Sequence, residues 1–151
     1  KTVSSYVTAF GEAFLFYRAA RYDLRGKALL KTNPKEYIVD TGFRTWMAGY
    51  RVTDIGRLFE NAVYFQLLYE GWSVHVGKLY GKGVDFVATK DGRALYVQAT
   101  DEMFASETRE REIAPLKAIR DNHEKIAVVR QGSYDTDIDG IRIVSARDFF
   151  L

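Results

Sequence analysis

The dipeptide Asp91-Gly92 lies between two runs of strand-forming residues, Val84 to Lys90 and Arg93 to Thr100. In that setting Asp-Gly is a strong signal for a two-residue type I′ turn, because both central residues must take positive φ. So short a turn also fixes the pairing. Lys90 falls opposite Arg93, Asp85 opposite Gln98, and Gly83 opposite Thr100. Alternation then places Gly83, Asp85, Gln98 and Thr100 on one face. The other face carries Val84, Phe86 and Ala88 with Leu95, Val97 and Ala99. The sequence predicts a hairpin with one apolar face and one small polar cluster.

Elements on either side follow from periodicity. Leu58, Ala62, Phe65 and Leu68 recur at helical spacing, so a helix is predicted from an Asp54 N-cap to Glu70, with Gly71 as its stop. A strand over 72–79 precedes the hairpin. A charged helix from about 106 to 121 follows it, with Pro115 as a kink or a restart. Strands over 125–130 and 141–144 and a short helix over 146–151 complete the pattern. The result is an α/β fold, a mixed sheet flanked by helices. Upstream, Val3, Tyr6, Val7 and Phe10 mark an amphipathic helix over 2–13. A hairpin is expected around Asp23-Leu-Arg-Gly26, a strand over 36–39, and a short helix to Ala48 opened by Asp40-Thr-Gly42.

Composition narrows the function classes. The chain contains no cysteine, which removes disulfide frameworks and thiolate zinc sites and suits a cytoplasmic location. No apolar run reaches membrane-spanning length, so no membrane partner is expected. The net charge of +2 gives the whole chain no strong nucleic-acid footprint. Its distribution is uneven. Residues 1–60 carry ten Lys/Arg against six Asp/Glu, while the remainder carries twelve against fourteen. Arg18, Arg21, Arg25 and Lys27 belong to a basic stripe running to Lys35 and are candidate nucleic-acid contacts; the alternative is a solvated charged face.

A helix acid followed by a hairpin Asp and a polar-x-polar pair resembles the PD-(D/E)XK nuclease superfamily. That resemblance implies a restriction-endonuclease-like core. Glu60 would be the helix acid and Asp85 the first hairpin acid, while Gln98 and Thr100 stand where a second acid and a Lys belong. Many related chains carry a Glu two residues before the Asp; here that residue is Gly83. These four positions are accordingly read as vestigial, with neither catalysis nor a metal assigned to them.

A closer similarity is to the C-terminal domain of unknown function found on bacterial and archaeal AAA-type ATPases. It rests on Tyr37-Ile-Val-Asp40-Thr-Gly42-Phe43-Arg44, Gly56-Arg-Leu-Phe-Glu60-Asn61, Val84-Asp85-Phe86-Val87-Ala88, Tyr96-Val97-Gln98, Glu107-Thr-Arg-Glu-Arg-Glu112 and Asp148-Phe149-Phe150. The resemblance implies that residues 1–35 are a winged-helix remnant and that residues 36–151 form the nuclease-like domain. It implies an upstream ATPase domain as partner and as the seat of ATP and Mg²⁺, with no cofactor in this chain. DNA is the further expected partner, and homo-oligomerisation stays open. The expected role is a non-catalytic accessory domain that binds nucleic acid or a partner protein. The rival readings are an active Mg²⁺-dependent nuclease using Glu60 and Asp85, and an oligomerisation or regulatory domain that touches no nucleic acid.

Other signals carry less. Asp135-Thr-Asp137-Ile-Asp139-Gly140 opens like an EF-hand loop, but the twelfth position is Ala146 rather than Glu, so an acidic solvated loop is expected. Gly77-Lys-Leu-Tyr-Gly81-Lys82 has the wrong spacing for a phosphate-binding loop. His75 and His123 read as isolated residues.

Overall fold

Asp91 and Gly92 take φ of 50° and 75°, the double positive φ of a type I′ turn. They join β6 (Lys82–Lys90) to β7 (Arg93–Glu102) in antiparallel register from Lys90↔Arg93 to Phe86↔Val97, as the turn length demands. The computed structural model describes residues 2–103, 105–132 and 135–151; of the segment expected as a winged-helix remnant, Lys1 lies outside these. Tyr80 and Gly81, at φ 49° and 82°, make a second such turn between β5 (Ser73–Leu79) and β6. The three-stranded meander is extended at both edges. Beyond β7 lie β8 (Glu124–Gln131) and β10 (Ile141–Ser145), each parallel to its inner neighbour, and then the two-residue β9 (Asp137–Ile138). Beyond β5 lies β2 (Arg21–Asp23), parallel to it, and β3 (Ala28–Leu29), antiparallel to β2. Among the described residues the sheet is mixed and eight-stranded, in the order β3-β2-β5-β6-β7-β8-β10-β9. A separate two-stranded sheet pairs β1 (Phe16–Ala19) with β4 (Lys35–Ile38). The hairpin around Asp23 to Gly26 thus forms, and it is an edge of the main sheet.

Helices cover both faces. On one lie α3 (Ile55–Tyr69) and the short α5 (Ala146–Phe150); α4 (Ser106–Lys117) lies on the other. Phe59, Val63 and Leu67 of α3 pack with Val74, Phe86, Val97 and Val128. Ile113 and Leu116 of α4 pack with Leu79, Val87, Val129 and Ile143. Each such side chain stabilises the fold by about 1.5–3 kcal/mol relative to exposure. The hairpin is therefore buried on both faces over most of its length. Alternating apolar residues alone suggest a half-solvated strand, and Val87 and Tyr96 are the residues that give the second buried face away.

Helix ends follow their caps. Gly71 sits at φ 84°, and the Gly71 and Trp72 N–H groups donate to the carbonyls of Leu68 and Leu67, a Schellman closure of α3. Asp40 caps α2 (Thr41–Ala48), accepting from the Gly42 and Phe43 N–H groups at 2.7 and 3.2 Å. Asp54 does not cap α3 with its side chain; a 3₁₀ turn over Val52–Asp54 precedes the helix, and the Asp54 carboxylate pairs with Arg44 instead. The charged α4 runs through Pro115 and ends at Lys117, short of the expected 121; the Ala118 N–H still donates to the Ala114 carbonyl, and the Ile119 N–H closes the end on Leu116. Among the described residues no helix is long and apolar enough to cross a membrane.

One irregularity reshapes the site. Between His75↔Val87 and Gly77↔Val84 the β5–β6 register shifts, so β6 carries an extra residue around Asp85 and Phe86. Val84 consequently packs with Val87 on the α4 side, while Phe86 packs on the α3 side. Strict alternation wrongly groups Val84 with Phe86. Gly77 lies opposite the bulge, where a Cβ would come within 2.9 Å of Val84 Cβ and 3.2 Å of its carbonyl oxygen. Gly77→Ala is expected to destabilise the protein by about 1–3 kcal/mol through overpacking. Urea midpoints measure this, and an unchanged midpoint would mean the bulge yields freely.

Candidate functional site

Glu60 occupies the middle of α3 with its side chain directed toward β4. Lys35 Nζ donates to both Glu60 carboxylate oxygens at 2.5 and 2.7 Å, and the Tyr37 hydroxyl donates to Oε1 at 2.6 Å. Lys35 and Tyr37 share a face of β4 because they are two residues apart on a strand. Tyr37 is buried and stacked on Tyr64 at 4.0 Å; burial and then the Glu60 charge push its hydroxyl pKa far upward. Next along α3, Asn61 clamps the same strand, donating to the Ile38 carbonyl at 2.8 Å and accepting from its N–H at 3.0 Å. The bonds made by the Glu60-Asn61 pair are long-range in sequence. They tie α3 to a strand more than twenty residues upstream.

Asp85 sits at the bulge. Its Oδ2 accepts the Ala99 N–H at 2.9 Å, and its own N–H donates to Gln98 Oε1 at 3.4 Å. Side chains replace the ladder pairing that the turn register gives Asp85 and Gln98. The Asp85 carboxyl is pushed up to about 7, first by burial and then by the Glu60 charge, with Lys35 and the Ala99 N–H only partly offsetting. Gln98 and Thr100 alternate onto the α4 side, where Thr100 Oγ1 donates to Glu112 at 3.4 Å. Arg111 holds the other Glu112 oxygen through two donors at 2.9 and 3.0 Å.

All four positions expected from the nuclease resemblance line one cleft of about 630 Å³. Glu60, Asp85, Gln98 and Thr100 converge there. Gly83 does not; it pairs with Lys78 and lies outside the cleft. Sequence reasoning missed the cleft's other charged members: Asp101, Glu102 and Glu112 add carboxylates, and Arg57 and Arg111 add cations. Lys35 and Tyr37 reach Glu60 from β4 beside the cleft and add a further cation and a buried hydroxyl. The Lys-x-Tyr spacing on a strand is the signal that could have found the β4 pair. Lys35 ends the basic stripe, and here it is neither a solvated charge nor a phosphate contact but the partner of Glu60.

Neither Glu60 nor Glu112 has a carboxylate oxygen without a donor: Lys35 engages both oxygens of the first, and Arg111 and Thr100 those of the second. Hard cations need several free anionic oxygens in near-regular geometry. Among the described residues no three His, Asp or Glu side chains converge as a metal site would require.

The basic residues do not gather at the cleft. Arg18 pairs across β1–β4 with Glu36 at 3.1 Å, and Arg21 donates to the Asn33 carbonyl at 3.0 Å. Arg25 lies over the Tyr80 ring at 5.7 Å, and Lys27 borders a recess lined also by Tyr22, His75, Tyr96 and His123. The two histidines, isolated in sequence, both line that recess. The acidic run near 137 is solvent-exposed, as expected, and forms a tight hairpin. Asp137 Oδ1 accepts the Gly140 N–H, and Asp139 pairs with Lys117 at 2.7 Å, so its carboxylates diverge.

No protein-family model matches the chain, and no solved structure matches it. Over 150 residues the chain is 41% identical to a protein of Haemophilus influenzae described as an uncharacterized protein. The alignment covers 99% of this chain and 37% of that protein, so the chain spans little more than a third of the length of the relative it matches.

Proposed function

We propose that this chain is a non-catalytic, nuclease-like accessory domain of a larger AAA-type ATPase, and that it binds nucleic acid without cutting it. The observation that carries this reading is the closure of the cleft's polar groups on one another. Glu60 is engaged by Lys35 and Tyr37, Asp85 by Ala99, Gln98 by the Asp85 backbone, and Thr100 by Glu112. A hydrolytic site needs such groups aimed at metal, water and phosphate instead. Here they act as a polar rivet between α3, α4, β4 and the β6–β7 hairpin.

The accessory role draws on the resemblance to ATPase C-terminal domains, on the greater length of the relative and on two uncovered apolar faces. No residue of α1 (Thr2–Glu12) is buried, although it carries Val3, Tyr6 and Phe10. Trp46 on α2 is 81% exposed beside Phe43 and Met47. Phe16 of β1 lies between the two helices, bordering the recess at each. Apolar bands of this kind mark packing surfaces, and the ATPase portion of the same polypeptide is the occupant this reading assigns.

The test uses a labelled oligonucleotide and the full-length protein without ATP. Retention with equal affinity in Mg²⁺ and in excess EDTA, with the probe intact, is the expected result. Metal-dependent cleavage that tracks Glu60 and Asp85 would overturn the proposal.

A further inference from the structure

We infer that the neighbouring tips of the β2–β3 and β5–β6 turns form a contact site for single-stranded nucleic acid, with Tyr80 as a base-stacking platform and Arg25, Lys78 and Lys82 as phosphate contacts. The inference rests on the nucleic-acid reading above and places the contact away from the cleft. Three observations carry it.

The first is strain at an exposed aromatic. Tyr80 holds φ 49° in a turn type that Asn, Asp or Gly fill at little cost. The residue is 72% exposed and packs into no core. A bulky residue held in a sparsely populated backbone region and turned to solvent gains nothing for the fold, which is the pattern of a functional position.

The second is the company the ring keeps. β2 and β5 run parallel with Asp23 opposite Lys78, and the Leu24 N–H donates to the Lys78 carbonyl at 3.0 Å, so the two turns emerge side by side. That brings Arg25 over the Tyr80 ring at 5.7 Å. Lys82 follows on the far side of the same turn, paired with Leu79. Arg25, Lys78 and Lys82 are all exposed, and none of them makes an ion pair among the described residues. Asp23, at the base of the first turn, is engaged by the Arg25 backbone N–H at 3.1 Å. Unpaired cations around an open aromatic face are what sequence-tolerant single-strand binding requires: charge for the backbone and a ring for the bases.

The third is the charge of the alternative. The cleft is bordered by Glu60, Asp85, Asp101, Glu102 and Glu112 against Arg57 and Arg111. Without a metal that surface repels a phosphodiester. The turn tips have the opposite sign.

The experiment measures binding of a labelled oligothymidylate by the full-length protein over a range of salt. Tyr80→Asn removes the ring while giving the turn a residue it favours. It is expected to weaken binding about tenfold, the effect of losing one stacked base, with an unchanged or higher melting temperature. A purely structural role for Tyr80 could not produce that combination. Arg25→Glu with Lys82→Glu is expected to lower the salt slope by about 1.4, at ~0.7 per phosphate contact on a single strand. Arg18→Gln, at a cation already paired with Glu36, leaves affinity and slope unchanged. If the unsubstituted protein binds oligothymidylate but neither Tyr80→Asn nor the charge reversals alter it, this site is wrong and the proposed function stands. If it binds no nucleic acid at all, both fall. Equal, Tyr80-dependent affinity for polyglutamate overturns the nucleic-acid assignment of the tips and marks them as an acidic-protein contact.

Discussion

Asp85→Asn is expected to make the protein more stable at pH 8 by on the order of 2–4 kcal/mol, and to change its stability little at pH 3.5. The Asp85 carboxyl rises from its ordinary value of 3.8 to about 7, with burial as the main cause and the Glu60 charge next. Below both values the carboxyl is protonated whether the chain is folded or not, so it adds no pH dependence. Between 3.8 and 7 the unfolded chain releases the proton while the folded one keeps it. The folded state then binds more protons, and stability falls as pH rises through that window. Above about 7 the folded protein carries the full cost of an ionised carboxylate close to Glu60. An asparagine Oδ1 still accepts from the Ala99 N–H, so the substitution removes the charge and keeps the contact. Urea unfolding at pH 3.5, 5.5 and 8 measures the effect, and the gap between the two proteins should widen at each step. A constant gap would mean that Asp85 ionises as an ordinary surface acid. Destabilisation by Asn at pH 8 would mean that the carboxylate is needed there, as a cation-binding site would demand.

The same residue shows how far the sequence could be read. Asp91-Gly92 is local chemistry, so its turn type and the pairing it dictates are visible in a dipeptide. The grouping of Asp85, Gln98 and Thr100 is also legible from the turn and strand alternation, while Glu60 joins them in the sequence only through the nuclease resemblance. The bulge at Asp85 is not. It depends on Gly77, on a neighbouring strand, leaving room for Val84, a non-local fit that no single segment encodes. Lys35 and Tyr37 were hidden for a related reason. Their partner Glu60 lies more than twenty residues away, and a lysine in a basic stretch reads as solvated until the fold closes it onto an acid. Asp54 looked like a helix cap because Asp favours that position, yet Arg44 competes for its carboxylate and wins. Pairing of the hairpin around Asp23 with the edge of the main sheet likewise follows from a parallel contact with β5, and parallel pairs leave no local turn signal. Short-range features were readable; what the tertiary fold decided was not.

The largest effect on metal affinity is expected from restoring the two charges that the β7 pair lacks. Gln98→Glu with Thr100→Lys should raise Mg²⁺ affinity at least tenfold, about 1.4 kcal/mol, over an unsubstituted protein expected to bind Mg²⁺ only weakly. Gln98 is buried, and its Oε1 already accepts the Asp85 N–H at 3.4 Å, so a glutamate can keep that contact while adding a carboxylate beside Asp85. Thr100 is buried against Glu112 at 3.4 Å, which gives a lysine there an acidic neighbour in place of a hydroxyl contact. Gly83, outside the cleft, is left alone. In EDTA the double variant should be less stable than its parent by about 1–3 kcal/mol, because a further carboxylate joins Glu60, Asp85 and Glu112 in a partly buried cluster. Mg²⁺ should recover part of that loss in a concentration-dependent melting temperature, which the parent does not show. Full hydrolysis is not expected to return with affinity, since Lys35 continues to hold Glu60 at 2.5 and 2.7 Å and misplaced charge typically forfeits on the order of 10²–10³ in rate. Calorimetric titration of both proteins with Mg²⁺ separates the readings. Tight binding by the parent means the cleft is a working metal site. Indifference of a folded double variant means the cleft's geometry, and not merely its missing charges, excludes the ion.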